Sequence, residues 1–363
     1  MGLADTRFSN RRRALAATLA AQRIDAILVT DLTHMRYLTG FSGSNGALLL
    51  RKDLSAVVTT DGRYTTQIAE EVPDIKAVIQ RNVGANLLEN LEGPLRVGFE
   101  SAFVSVDKFK KLEEACPEDV TLIPVSGVIE KLRERKDYFE REQLENIALL
   151  ANDALEDLLE AGELAVGRTE RDVAADLEYR MRKAGSERVS FDTIVASGPN
   201  SAKPHHGADD RVIENGDLVT IDFGAHLRGF NSDMTRTFVM GEASDFAKEI
   251  YDVVLKAQLA GVEAARAGTA LYDVDRACRS IIEDAGYGEY FVHSTGHGIG
   301  LHVHEGPSAA TTGKGHLEED MTLTIEPGIY VPGKGGVRIE DTLIITSGAP
   351  KIITPSSKEL RVI

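Results

Sequence analysis

The chain has 363 residues, 42% hydrophobic, 27% charged and 6% aromatic, a composition that excludes a disordered, collagen-like or disulfide-scaffold protein. A net charge of −16, with no basic patch to offset it, excludes nucleic acid as a partner. No run reaches the ~18 apolar residues of a membrane span, so the chain is not expected to cross a bilayer, and its length predicts about two domains.

In chain order, Arg11-Arg12-Arg13 followed by Ala14 to Ala21 imitates a secretory signal. The stretch contains Thr18 and runs into Gln22-Arg23, so the expectation is an uncleaved amphipathic helix over about residues 5–22. Apolar runs at 26–29, 47–50, 56–59, 97–99 and 120–124 alternate with helical patterns, one of them starting near Tyr64. They predict an α/β domain with a mixed or parallel sheet under helices. Gly40 to Gly46 reads either as a flexible loop whose aromatic could wall a neighbouring site or as an ordinary turn. Cys116 and Cys278 stand in no metal or redox spacing, and a reducing cytoplasm fits them.

The charge run Glu130 to Lys136 reads as a solvated helix face or linker. The domain boundary is placed there, giving domains 1–127 and 128–363. The second begins with helices over about 137–161 and 169–184, continues with strand pieces at 193–196, 218–223 and 235–240, and adds helices over about 245–266 and 271–285. A Gly-rich, strand-rich stretch from His293 onward completes an α+β pattern.

Chemistry concentrates in the second domain, where the histidines cluster between His205 and His316. Asp222 ends an apolar strand and Asp233 opens the next, so antiparallel pairing would set two carboxylates side by side. Such a pair needs a shared proton or a cation; two turn-forming aspartates are the other reading of this unit alone. In Gly296-His297-Gly298, glycines on both sides let the backbone carry an imidazole into a crowded site. His293, His302 and His304 lie close by in sequence. Glu326 sits before a Pro-Gly break, and Glu340 is expected inside the apolar strand Val337 to Asp341. Acidic groups there are costly to bury without a partner or a metal. Asp222, Asp233, His297, Glu326 and Glu340 form an oxygen-rich set suited to two adjacent divalent ions. Asp222-Phe223-Gly224 spells a kinase tripeptide without its companion motifs, and Gly333-Lys334-Gly335-Gly336 reads as a tight turn.

With these motifs the sequence resembles the metallopeptidases of the pita-bread fold, a family that includes aminopeptidase P, prolidase, methionine aminopeptidase and creatinase. Tyr37 to Ser44 resembles part of the N-terminal domain of the aminopeptidase P and prolidase branch. The resemblance implies an α/β N-terminal domain plus an α+β pita-bread catalytic domain. It implies a two-metal site in which Asp222 binds one ion, His297 and Glu326 the other, and Asp233 and Glu340 bridge them. Manganese is the favoured ion, with cobalt or zinc able to fill the set. The implied activity is hydrolysis of the peptide bond before proline by a metal-bridging hydroxide, in a dipeptidase of the prolidase type. The alternatives are an aminopeptidase acting on longer peptides and a non-catalytic peptide-binding relative. His205, His304 and Glu326 are the implied catalytic residues, and His293, Tyr330 and Arg338 the implied substrate-binding ones. His302, where relatives often carry Glu, is a departure that removes no ligand. A homodimer is implied, with the N-terminal domain of one subunit bordering the active-site mouth of the other.

Overall fold

The computed structural model describes residues 6–363, so the first position of the expected opening helix lies outside the described residues. The chain divides into two compact units, one ending at Arg133 and the other spanning Glu134–Ile363.

The first unit contains α1 (Arg7–Ala21), β1 (Ala26–Val29), α2 (Leu32–Thr39), β2 (Gly46–Arg51), β3 (Ala56–Thr60), α3 (Thr65–Glu71), β4 (Lys76–Ile79), α4 (Val83–Glu89), β5 (Leu95–Glu100), α5 (Val106–Ala115), β6 (Val120–Val125) and α6 (Val128–Arg133). Its sheet runs β4-β3-β2-β1-β5-β6 and is mixed, because β1 is antiparallel to β2 and parallel to β5. Every residue of β1 is buried, which explains its unbroken apolar run. The expected boundary at 127/128 precedes α6, which packs on α1 and buries Ile129 and Arg133.

Helix α2 is not legible as an apolar run; its ends are chemical. Asp31 accepts from the N–H groups of Thr33 and His34, and Gly40 closes the helix at φ +86°. In the Gly40 to Gly46 stretch the one aromatic is turned into the packing of its own unit. Phe41 is buried, lies edge-to-face on Tyr64 and occupies the space where a side chain at Gly43 would project, while Met35 fills the corresponding space at Gly46.

The second unit contains α7 (Tyr138–Glu160), α8 (Glu170–Lys183), β7 (Arg188–Val189), β8 (Ile194–Ser197), β9 (Leu218–Phe223), β10 (Ala225–Leu227), β11 (Phe230–Asn231) and β12 (Met234–Val239). It continues with α9 (Asp245–Ala264), α10 (Leu271–Asp284), β13 (Gly296–Gly298), β14 (Glu305–Ala309), β15 (Thr322–Ile325), β16 (Gly328–Val331), β17 (Gly335–Arg338), β18 (Asp341–Ile344), β19 (Lys351–Ile352) and β20 (Arg361–Val362). An Asp137/Glu140 capping box starts α7. Two cores form. Leu155, Leu158, Leu177 and Met181 of α7 and α8 pack on Val219, Ile221, Phe223 and Phe238. Ile250, Val254, Cys278 and Ile282 of α9 and α10 pack on Leu323, Ile325, Val337 and Leu343.

The charge run is only partly solvated. Arg133 and Lys136 are buried, and Lys136 Nζ reaches Glu305 Oε1 at 2.8 Å, so this buried cation has a carboxylate partner.

Candidate metal centre

Strand alternation turns the polar residues of both cores' sheets toward one site. Val219, Ile221 and Phe223 of β9 enter the α7–α8 core, leaving Thr220 and Asp222 on the opposite face. Met234 and Phe238 of β12 do likewise, leaving Asp233, Thr235 and Thr237 there. β9 and β12 pair antiparallel with Asp222 opposite Thr235, so Asp233 is a diagonal neighbour of Asp222. The expected carboxylate pairing is present, although β10 and β11 intervene along the chain. From the other core, Leu323 and Ile325 set Glu326 on the site face, and Val337 and Ile339 do the same for Arg338 and Glu340.

Glu340 does not lie inside a strand as expected. It occupies the break between β17 and β18, where the chain leaves the β16–β17 hairpin and joins the β15–β18 pair. Its N–H donates to the Thr235 carbonyl at 3.1 Å, and its Oε2 accepts from Thr235 Oγ1 at 2.8 Å. Glu326 fills the corresponding break between β15 and β16 and donates its N–H to the Thr295 carbonyl at 2.8 Å.

His297 sits in β13, with Gly296 and Gly298 at its sides. A Cβ on Gly296 would fall 1.7 Å from the Thr324 carbonyl oxygen, and one on Gly298 would fall 2.1 Å from that of Gly306. The His297 Nδ1 faces the Gly298 carbonyl at 3.0 Å and must therefore carry the proton. Nε2 is left with a free lone pair, 3.6 Å from Asp233 Oδ2 and 3.4 Å from Glu326 Oε1.

The donor set fits a bound metal. Ligand atoms of Asp233, His297 and Glu340 all lie within 4.8 Å of one another. Asp222 Oδ1 and Glu340 Oε1 are buried with no hydrogen-bond partner, a costly state for a carboxylate unless a cation meets it. Among the described residues, Arg338 is the one arginine or lysine ion-paired with these four carboxylates, through Asp222 Oδ2 at 2.6 Å. Burial, reinforced by repulsion from neighbouring carboxylates, holds Asp233 and Glu340 well above the usual carboxylate range. Burial also pushes Glu326 up to about 8.

The remaining expected site residues surround this cluster. Arg338 Nη1 donates to Tyr330 Oη at 2.9 Å, and Tyr330 Oη lies 2.8 Å from His293 Nε2. His293 Nδ1 faces the Ser294 carbonyl at 2.8 Å, so Nε2 accepts the tyrosine hydroxyl proton. Burial lowers the His293 pKa to about 4, consistent with a neutral acceptor. His304 is exposed and lies edge-on to His297, with ring centroids 4.4 Å apart. His205 is exposed and follows Pro204, whose carbonyl accepts from Arg338 at 3.3 Å. His302 is exposed and outside the cluster.

Sequence reasoning missed the residues that hold the ligands. Thr324 Oγ1 accepts the His297 N–H at 3.0 Å and donates to Glu326 at 3.3 Å. Asp341 is fully buried and accepts from Arg236, Lys358 and Gln258 at 2.6 to 2.9 Å. Burial alone would raise its pKa, but Arg236 and Lys358 hold it below the usual range. The available signal was the spacing Thr235-x-Thr237 and Thr322-x-Thr324, polar residues two apart in apolar strands. A second trio, Glu170, His206 and Asp209, also gathers ligand-type atoms. Glu170 has already spent its oxygens on Ser197, Asn200 and His206, so that trio is an internal anchor.

A carboxylate-and-imidazole centre framed by two helix-backed sheets defines a metal-dependent hydrolase. Residues 142–347 match Metallopeptidase family M24 and residues 11–135 match the Creatinase/Prolidase N-terminal domain; the chain belongs to the M24 family. It is 38% identical to a Xaa-Pro dipeptidase of Pyrococcus horikoshii, across 93% of this chain and 94% of that one. Its structure resembles a Xaa-Pro dipeptidase from Bacillus anthracis with TM-score 0.94 and 41% identity, covering 98% of this chain and 100% of that one. It also resembles an X-Pro aminopeptidase from Thermotoga maritima with TM-score 0.87 and 35% identity, covering 97% and 99%. The expected α/β N-terminal domain and pita-bread catalytic domain are borne out.

Proposed function

We propose that this M24 peptidase is an exopeptidase that cleaves the bond before proline in Xaa-Pro dipeptides. The observation that carries the reading is the cluster of four carboxylates and one imidazole with two orphaned buried oxygens. The two Xaa-Pro dipeptidases above support the substrate class.

In this reading Asp222, Asp233, His297, Glu326 and Glu340 would hold the divalent ions. When bound, such a pair supplies the Lewis acidity that activates water and polarises a peptide carbonyl. Glu326 takes the proton released from water and passes it to the leaving nitrogen. His304 and His205 donate hydrogen bonds to the developing oxyanion. Arg338 fixes Asp222 and Tyr330, and with them His293 contacts the bound peptide. Proline leaves as a secondary amine from a bond with no N–H, so ring shape rather than a donated hydrogen bond must select it.

The reading extends to manganese as the resident ion, which a thiolate-free, carboxylate-dominated set supports, with cobalt or zinc able to replace it. It extends also to a homodimer and a cytoplasmic location; among the described residues no helix is long and apolar enough to cross a membrane. The test is turnover of an Xaa-Pro dipeptide against an Xaa-Pro-Yaa tripeptide, with each metal returned to stripped protein. Loss of activity on stripping, recovery with manganese and preference for the dipeptide are expected. Preference for the tripeptide would instead assign an aminopeptidase, the activity named for the Thermotoga maritima protein.

A further inference from the structure

The segment 291–295, which carries His293, belongs to no strand, and an ion pair on α10 grips it. Asp275 is fully buried and Arg279 is partly buried. Arg279 Nε and Nη2 donate to the two Asp275 oxygens at 2.8 and 2.9 Å. The rest of the guanidinium fork reaches the chain opposite: Nη1 donates to the Phe291 carbonyl at 3.0 Å and Nη2 to the His293 carbonyl at 2.8 Å. Its plane lies over the Phe291 ring, 4.1 Å from the centroid, and that ring meets the His293 ring edge-on at 5.2 Å. Asp275 Oδ1 also accepts from Thr295 Oγ1 at 2.9 Å, and the Thr295 carbonyl holds the Glu326 N–H.

We propose that Arg279, oriented by Asp275, is a positioning residue for His293, an inference resting on the reading of His293 as a substrate contact. The Ser294 carbonyl and Tyr330 set the rotation of the imidazole, but they do not fix where its backbone lies. Arg279 does that, because a planar fork with several donors can serve a carboxylate and two carbonyls at once. An ammonium group lacks that fixed geometry. Arg279 touches none of the five metal-binding candidates, whereas Asp275 reaches Glu326 through Thr295; a variant that keeps Asp275 therefore separates substrate placement from metal content.

The experiment uses the metal-loaded full chain and a proline dipeptide. Arg279→Lys keeps a cation beside Asp275 but not the fork. Arg279→Met with Asp275→Asn removes the pair together, so that no buried carboxylate is stranded. Both are expected to lose about 10- to 100-fold in kcat/KM, the scale of a displaced substrate contact, while metal per chain in Arg279→Lys stays at the wild-type value. Placed on a His293→Ala background, Arg279→Lys is expected to cost nothing further, as required if the two act as one unit. Equal losses in the two backgrounds, unchanged kcat/KM with His293→Ala impaired, or loss of metal in Arg279→Lys would each overturn the inference. If His293→Ala itself is silent, the failure lies in the reading of His293 as a substrate contact. If the double variant does not fold, Arg279→Lys alone decides.

Discussion

His297 and His304 lie edge to face, yet their chemistry differs. His297 has its Nδ1 proton committed to the Gly298 carbonyl and offers Nε2 to a cluster of buried carboxylates. His304 is exposed and has no such enclosure. Removing His297 takes away a donor atom that no neighbouring side chain replaces, so His297→Ala is expected to lose bound metal. His304→Ala is expected to keep metal near the wild-type content and lose about 10²–10³ in turnover, the usual cost of one oxyanion donor. Elemental analysis of the two purified variants beside their kcat values checks this. Equal metal loss in both would show that the two roles are wrongly divided.

At the scale of elements, β13 is confined between Thr324 on one side and Gly306 on the other. Any side chain at Gly296 must displace backbone, since the Cβ would lie 1.7 Å from a carbonyl oxygen. Gly296→Ala is therefore expected to destabilise by at least the ~1–3 kcal/mol typical of overpacking and to shift His297 off its donors. Gly62→Ala, where nothing lies within 4 Å, is the contrast. Urea midpoints of both variants decide it, and a wild-type midpoint for Gly296→Ala would contradict the confinement. This crowding was readable in the sequence because glycine on both sides of a histidine is a local signal. So were the apolar strand β9, the capped helix α7 and four carboxylates in or beside apolar runs. The placement of Glu340 between strands was not, because alternation along Val337 to Asp341 is the same whether the chain continues straight or changes sheet. Helix α2 was hidden because its ends are set by one cap and one glycine rather than by hydrophobic period. The Asp341, Arg236 and Lys358 network was invisible because its members are brought together only by the tertiary fold.

For the molecule as a whole, the cluster makes stability depend on pH in a direction that metal should reverse. In the metal-stripped chain, burial raises Asp233, Glu326 and Glu340, Glu326 to about 8. Such groups keep protons in the folded state that the unfolded chain releases above its ordinary carboxylate range near pH 4. Their contribution to stability is thus whole in acid and is lost as pH rises toward 8. His293, lowered to about 4 by burial, works oppositely. The unfolded chain protonates this histidine below about 6.5 while the folded one does not, so stability from it grows between about pH 4 and 6.5 and is level above. The window from 6.5 to 8 therefore isolates the carboxylates. There the stripped protein is expected to lose up to about 1.4 kcal/mol per pH unit for each proton the folded state retains. Bound cations keep the same carboxylates ionised, so the metal-loaded protein should show no such loss and should bind metal more tightly as pH rises. Urea unfolding at pH 6.5 and 8.0, with and without added manganese, measures both slopes. A stripped protein as stable at pH 8.0 as at 6.5 would mean that its buried carboxylates are already ionised and stabilised by a cation other than a metal.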